Sequence, residues 1–264
     1  DFHRLITKWY RLNARQLPWR DTENPYFIWL SEIILQQTRV DQGMNYYYKF
    51  IKAYPTVEDL AEAEEQDVLN NWQGLGYYSR ARNLHASAKM IMNDFGGVFP
   101  ETYTQVIKLK GVGEYSAAAI SSFAYNEPYA VLDGNVFRVL SRVFDVDLAI
   151  DSTEGKKYFK NLAQELLPVS NSAEYNQAIM EFGAMQCTPK IPNCTDCILQ
   201  NKCLAFVSKT IAERPFKAKK AKVKNRFFNY LIFKNDGFVY IKKRLDKDIW
   251  QHLFEFPMIE TSEE

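Results

Sequence analysis

Outside one stretch of seventeen residues, this chain of 264 has no cysteine. It also lacks any apolar run approaching the roughly 20 residues that a membrane-crossing helix needs. Its opening, DFHRLITKWY, shows no signal-peptide pattern, and it begins without Met, so its natural start is expected upstream. No internal repeat and no low-complexity tract interrupts it. These absences argue against a helical membrane protein and a repeat solenoid. With no export signal, a reducing compartment is expected, where disulfides are rare. An excess of charge of either sign is missing as well: 33 Lys and Arg stand against 32 Asp and Glu, a net +1. A nucleic-acid partner would have to be met by basic residues gathered locally. What is present is 47% hydrophobic and 15% aromatic, over a length that suits one or two domains with a buried core.

All four cysteines, Cys187, Cys194, Cys197 and Cys203, lie in CTPKIPNCTDCILQNKC, spaced C-x6-C-x2-C-x5-C. A zinc ribbon would show two C-x2-C pairs well apart. Here one such pair is flanked on each side by a single cysteine. That compact, uneven loop suits thiolates set around a cube of iron and sulfide better than it suits a ribbon. On spacing alone, zinc and free or disulfide-bonded thiols stay open as alternatives. Pro189 and Pro192 favour a loop over a helix here, and the stretch reads as a clamp that folds around a metal.

Upstream of the cysteines the periodicity is helical nearly everywhere. ENPYFIWLSEIILQQTRV opens with Asn24 as a cap and Pro25 at the first helical position. VEDLAEAEEQDVLNNW and SRARNLHASAKMIMNDF are amphipathic, the second ended by Gly96-Gly97. TYTQVIKLK and YSAAAISSFAY flank the turn GVG, and NVFRVLSRVF and SAEYNQAIMEFGAMQ follow. Up to residue 205 no run of alternating strands appears, so the body is expected to be all-α. Beyond it the character changes. Segment 214–226 carries Arg214, Lys217, Lys219, Lys220, Lys222, Lys224 and Arg226 without an acid. It reads either as a solvated linker or as an arm touching phosphates. FFNYLIFKNDGFVYIKKR then reads as two strands around the turn Asn235-Asp236-Gly237. The forty or so residues after the linker are too few for an independent β domain, so the chain is expected to stop inside a second domain or to run on.

In LKGVGEYSA, residues 109–117, two helices meet at a Gly-x-Gly turn. Gly111 and Gly113 allow positive φ and close approach, and the amides opening the second helix form an anion site suited to a DNA phosphate. The plainer reading is a cap and turn. Two carboxylates stand out. Glu32 lies mid-helix among Ile28, Trp29 and Leu35, a setting that favours the protonated form and suits a general acid. The plainer reading is a surface glutamate beside an apolar stripe. Asp133 precedes a helix with the apolar face Val136, Val139, Leu140 and Val143. That helix start favours its anion, and capping does not exclude a second role. One neutral acid beside one anion is the division of labour in glycoside cleavage.

Taken together, LKGVGEYSA, LDGNV and the cysteine loop resemble the endonuclease III superfamily of base-excision DNA glycosylases. LPWR (17–20), WLSEIILQQTRV (29–40), GLGYYSRARNL (74–84) and EFGAMQCTP (181–189) resemble its MutY-type adenine glycosylase family, over residues 1 to 204. The tail from about 225, ending IWQHLFEFP, resembles the start of a MutT-like domain. The resemblance implies a [4Fe–4S] cluster on Cys187, Cys194, Cys197 and Cys203. It also implies monofunctional excision of adenine opposite 8-oxoguanine or guanine in double-stranded DNA, by a monomer in the bacterial cytoplasm, at the nucleoid. Glu32 matches the acid that protonates adenine at N7, Asp133 the carboxylate that stabilises the sugar cation or bonds to it covalently, and Asn135 the side chain holding it. Tyr115 matches a tyrosine at the site's edge. Trp19, Arg20, Leu35 and Glu181 match the adenine pocket. Gln37 and Thr38 match positions facing the opposite base, and Tyr77 the aromatic wedge beside it. Gly111 and Gly113 match the hairpin on the DNA backbone.

The implied fold has two helical modules with a DNA cleft between them. Residues 19–127 form a helical barrel with the helix-hairpin-helix. Residues 1–18 with 128–204 form the cluster module. A basic linker, 205–226, leads to 227–264, the first part of a truncated α/β MutT-like domain. Two rivals are weighed. A bifunctional glycosylase/lyase needs a lysine two residues after the hairpin's second glycine; that residue is Tyr115, and Lys108 and Lys110 lie before the turn. A non-enzymatic iron–sulfur DNA-binding protein has no reason to keep Glu32 and Asp133 in these settings.

Overall fold

The structure, a computed structural model, describes residues 2–218 and 225–263. The chain divides into two compact units, Asp1–Lys219 and Lys220–Glu264. The first is helical: α1 (Phe2–Asn13), α2 (Pro25–Leu35), α3 (Val40–Ala53), α4 (Val57–Glu62), α5 (Glu65–Trp72), α6 (Ser79–Asp94), α7 (Tyr103–Val106), α8 (Glu114–Tyr125), α9 (Gly134–Val143), α10 (Thr153–Leu166), α11 (Ser172–Met185) and α12 (Leu204–Val207).

Local chemistry sets several ends. The Asn24 side chain accepts from the Tyr26 amide at 3.0 Å and Pro25 follows, so α2 starts where its sequence reads. α6 stops at Gly96 and Gly97, at φ 62° and 80°, with the Gly97 amide reaching back to the Ile91 carbonyl at 3.1 Å. Two expectations need correction, and one helix goes unannounced. The segment from Asn24 to Val40 is not one helix: α2 ends at Leu35, and Gln37 takes φ 55° before α3 begins. VEDLAEAEEQDVLNNW is two helices, because Ala63 and Glu64 are extended. α10, capped by Ser152 on the Gly155 amide at 2.9 Å, was not singled out in the sequence.

Two apolar cores organise the helical unit. α2, buried nearly all round, is the axis of the first, against α3, α6 and α8. Its helices surround that core without forming a closed barrel. The second core joins Ile6 and Trp9 of α1 to α9, α10 and α11. α8 serves both, turning Ala117 and Ile120 to the first and Ala118 and Ala119 to the second. Burying these apolar faces contributes about 25 cal/mol per Å². α1 is tied to α11 by Arg11–Glu174 at 2.6 Å and Tyr10–Gln177 at 2.7 Å.

Among the described residues, strands occur only in the second unit. β1 (Phe227–Tyr230) pairs antiparallel with β6 (Met258–Thr261), β2 (Lys234–Asn235) with β3 (Phe238–Val239), and β4 (Lys242–Lys243) with β5 (Phe254–Glu255). The expected turn is there, with Asp236 and Gly237 at φ 46° and 81°. Its strands are only two residues each, however, and the run FFNYLIF breaks to pair β1 with the far end of the unit instead. The basic arm is also less free than its composition suggests. Arg214 pairs with Asp145 at 3.0 Å, and Arg226 with Asp248 at 2.8 Å and Glu260 at 2.7 Å. Lys217 is exposed, while Lys219, Lys220, Lys222 and Lys224 lie outside the described residues.

Candidate active site

A cavity of about 670 Å³ opens among α2, α8, α9 and α11. Glu32 of α2, Asp133 and Asn135 at the start of α9, and Tyr115 in the first turn of α8 all line it. So do Trp19, Arg20, Leu35, Gln37, Thr38, Gly113 and Glu181. Residues distant in sequence thus meet because the helices carrying them pack on one another. Tyr77 and Gly111 are not in the lining. Tyr77 is 64% exposed, and Gly111 sits in the turn before α8 at φ 75°. Gly113 does not adopt positive φ: at φ −96° it is the residue before α8, with no side chain bonded to the amides it precedes. Asn83 lies 2.9 Å from where a Cβ on Gly111 would stand, whereas a Cβ on Gly113 would meet nothing.

Glu32 lines the cavity with Ile28 and Leu35. Its side chain is half-buried. Burial first, and the Asp133 carboxylate second, push its pKa up to about 7, against the opposing effect of the Tyr115 hydroxyl. The Tyr115 hydroxyl also lies 3.9 Å from the Met180 sulfur. Asp133 caps α9: Oδ1 accepts from the Val136 amide at 2.8 Å and Oδ2 from Asn135 Nδ2 at 2.7 Å. Its pKa is nevertheless raised, because burial outweighs those bonds and the nearby Arg138 charge. The helix start therefore does not lower it as the sequence suggests.

Glu181 is 1% exposed, and its surroundings differ from those of a free pocket carboxylate. Arg15 binds it through Nε and Nη2 at 2.8 and 2.7 Å and Arg20 at 2.8 Å. Burial pushes its pKa up, but the two guanidiniums overcome that and hold it at about 2. Arg15 was missed in the sequence, although it stands just before LPWR. Arg138 was missed as well: it reaches Asn135 Oδ1 at 2.8 Å, the Gly183 carbonyl at 2.6 Å and the Cys187 carbonyl at 2.7 Å. Only its place on the inward face of α9 could have marked it.

Residues 30–169 match the HhH-GPD superfamily of base excision DNA repair proteins. An adenine DNA glycosylase of Buchnera aphidicola from Acyrthosiphon pisum is 36% identical over all of this chain and 75% of its own length. The human adenine DNA glycosylase is 39% identical over 77% of this chain and 39% of its own. The chain belongs to the adenine DNA glycosylase family of the HhH-GPD superfamily. Solved structures agree on the fold. A thermostable thymine-DNA glycosylase superposes with a TM-score of 0.72 at 29% identity, over 78% of this chain and 95% of the other. A non-covalent endonuclease III–DNA complex superposes at 0.66 and 19% identity, over 79% and 96%.

The four cysteines of this glycosylase line one small apolar hollow between α9, α11 and α12, with Val143, Phe182 and Phe206. Burial raises the thiols of Cys194 and Cys203, and that of Cys197 to about 11. Donors point at the sulfurs: Arg142 Nη1 at 3.4 Å from Cys187 Sγ and the Leu199 amide at 3.4 Å from Cys197 Sγ. Among the described residues no three His, Cys, Asp or Glu side chains are placed to hold a single metal ion. Four soft donors around one apolar space, with N–H groups aimed at sulfur, fit an iron–sulfur cluster. No helix is long and apolar enough to cross a membrane among the described residues.

Proposed function

We propose that this enzyme excises adenine mispaired with 8-oxoguanine or guanine in double-stranded DNA, as a monofunctional glycosylase acting as a monomer. One observation carries the reading: a carboxyl with a pKa of about 7 shares a cavity with a carboxylate clamped by an amide and an asparagine. A flipped adenine enters the cavity, between Trp19 and Leu35 and beside Arg20 and Glu181. Glu32, protonated near neutrality, donates its proton to N7. Tyr115 keeps that carboxyl oriented. As the glycosidic bond breaks, Asp133, held by Asn135, stabilises the cationic sugar. Water adds at C1′ and gives up a proton that restores the Glu32 carboxyl, leaving free adenine and an abasic site.

Tyr115, standing where a lyase would need lysine, supports the absence of strand cleavage. Gln37, Thr38 and Tyr77 face the base opposite adenine, with Tyr77 filling the emptied stack. Gly111 and Gly113 bring the α8 amides to the DNA backbone. Cys187, Cys194, Cys197 and Cys203 hold a [4Fe–4S] cluster, whose formation stabilises the module of residues 1–18 and 128–204 against the helical module 19–127. The linker 205–226 adds non-specific affinity, and 227–264 begins a MutT-like domain. The deciding test is single-turnover excision on an 8-oxoguanine:adenine duplex, with borohydride trapping in parallel. Adenine release without trapping is expected. Efficient trapping would overturn monofunctionality, and no release from either mispair would overturn the reading itself.

A further inference from the structure

Gln37 and Tyr77 share an uncommon backbone. Both sit at positive φ, 55° and 48°, a region sparsely populated by residues other than glycine. They lie on separate segments, one ending α2 and one preceding α6. Such a conformation persists where surrounding bonds over-determine it. The bonds here converge on a single side chain, Arg80, which is 8% exposed.

Its Nη1 lies within hydrogen-bond range of the Ile33 carbonyl at 3.1 Å, the Ile34 carbonyl at 2.9 Å and the Gln36 carbonyl, which share its two hydrogens. Those oxygens belong to the last turn of α2 and its cap, where carbonyls lack helical partners and a cation is favoured. Both terminal nitrogens reach Thr38 Oγ1, at 3.3 and 3.2 Å. Nη2 turns the other way, toward the Leu75 and Gly76 carbonyls at 3.4 Å each. The guanidinium also lies 5.0 Å from the Trp72 ring and 5.7 Å from the Tyr77 ring. Trp72 Nε1 holds the same Gly76 carbonyl at 3.0 Å. One guanidinium thus grips the peptide just before Gln37 and the peptide just before Tyr77. A lysine ammonium could not span both, because it lacks the planar fork.

We propose that Arg80 is the positioning residue for recognition of the base opposite adenine, fixing Gln37, Thr38 and Tyr77 as one rigid jaw before DNA binds. This rests on the reading of those three residues given above. Arg80 acts through its neighbours: it lies outside the cavity lining and does not touch the reacting carboxyls. It serves opposite-base selection, not the cleavage step.

The test compares Arg80→Lys with wild type in the whole chain. Single-turnover excision is measured on adenine opposite 8-oxoguanine, guanine and a tetrahydrofuran abasic analogue, with rates corrected for active fraction. For the variant, the preference for 8-oxoguanine over the abasic partner should fall at least tenfold, while the rate opposite the abasic partner stays within about threefold. A preference equal to wild type's overturns the proposal, whether both rates fall together, as for a merely structural residue, or both persist. Should Arg80→Lys not fold, Arg80→Gln, which keeps one donor amide, carries the same comparison. Wild type that releases adenine equally well opposite every partner overturns the reading beneath the proposal, and the proposal with it. A selective wild type beside an equally selective variant overturns the proposal alone.

Discussion

Replacing Glu32 with Gln removes the proposed proton donor and a half-buried ionisable group in one step. Excision should drop by about 100- to 10,000-fold in single-turnover assays while duplex binding survives, since phosphate contacts supply most of the affinity. Stability should move the other way. A carboxyl raised from 4.5 to about 7 disfavours the fold increasingly between those pH values and fully above them. Glu32→Gln should therefore gain up to about 3 kcal/mol at pH 8 and little at pH 4, read as melting temperature against pH. The same melting temperature as wild type at pH 8 would mean that the carboxyl is already hydrated. In wild type, excision should decline as pH rises through about 7 and Glu32 ionises. It should also decline on acidification from above the ordinary carboxylate range, because Asp133 is raised too. Glu181 behaves oppositely. Its pKa is depressed to about 2, so its contribution is full above pH 4.5 and is lost as pH falls toward 2. Glu181→Gln leaves Arg15 and Arg20 unmatched. It should cost about 2–3 kcal/mol at pH 7, discounted for the part-exposure of Arg15, with the deficit closing below pH 4.5 in calorimetry.

Among the elements, the two hairpin glycines should separate cleanly. Gly111→Ala meets both positive φ and Asn83, and should lower the melting temperature. Gly113→Ala meets open space at ordinary φ. It should fold like wild type yet weaken duplex binding if a phosphate approaches there, as a titration at fixed salt would show. Much of this level was legible in advance. The Asn24-Pro25 start, the Gly96-Gly97 stop and the GVG turn are written in local chemistry. The end of α2 was not: the side chain bonded to its last carbonyls, Arg80, stands 42 to 47 residues away. The break at Ala63-Glu64 carries no glycine or proline. The upward shift of Glu32 was readable from its apolar helix neighbours, and the capping of α9 by Asp133 from its place before that helix. The raised pKa of Asp133 and the capture of Glu181 by Arg15 depend on which helices pack together, which periodicity does not encode.

For the molecule as a whole, every group lining the cavity belongs to the helical unit. A chain ending at Ala218 should keep its melting transition and release adenine at rates within a few-fold of the complete one, in single-turnover assays. Loss of excision on truncation would place a needed group within residues 219–264. The two cores also differ in how the chain supplies them. The first is drawn from the continuous span Tyr26–Ile120, whereas the second joins Ile6 and Trp9 to residues as late as Leu199. On a ribosome the first core is complete once Ile120 has emerged, whereas helix α1, made before it, waits for α9, α10 and α11 to complete the core it joins. Arg15 and Arg20 must wait longer for their anchor, since Glu181 lies near the end of α11. The cavity is thus closed late in synthesis, and a nascent chain acquires the power to cut a base from DNA only when its helical body is nearly finished.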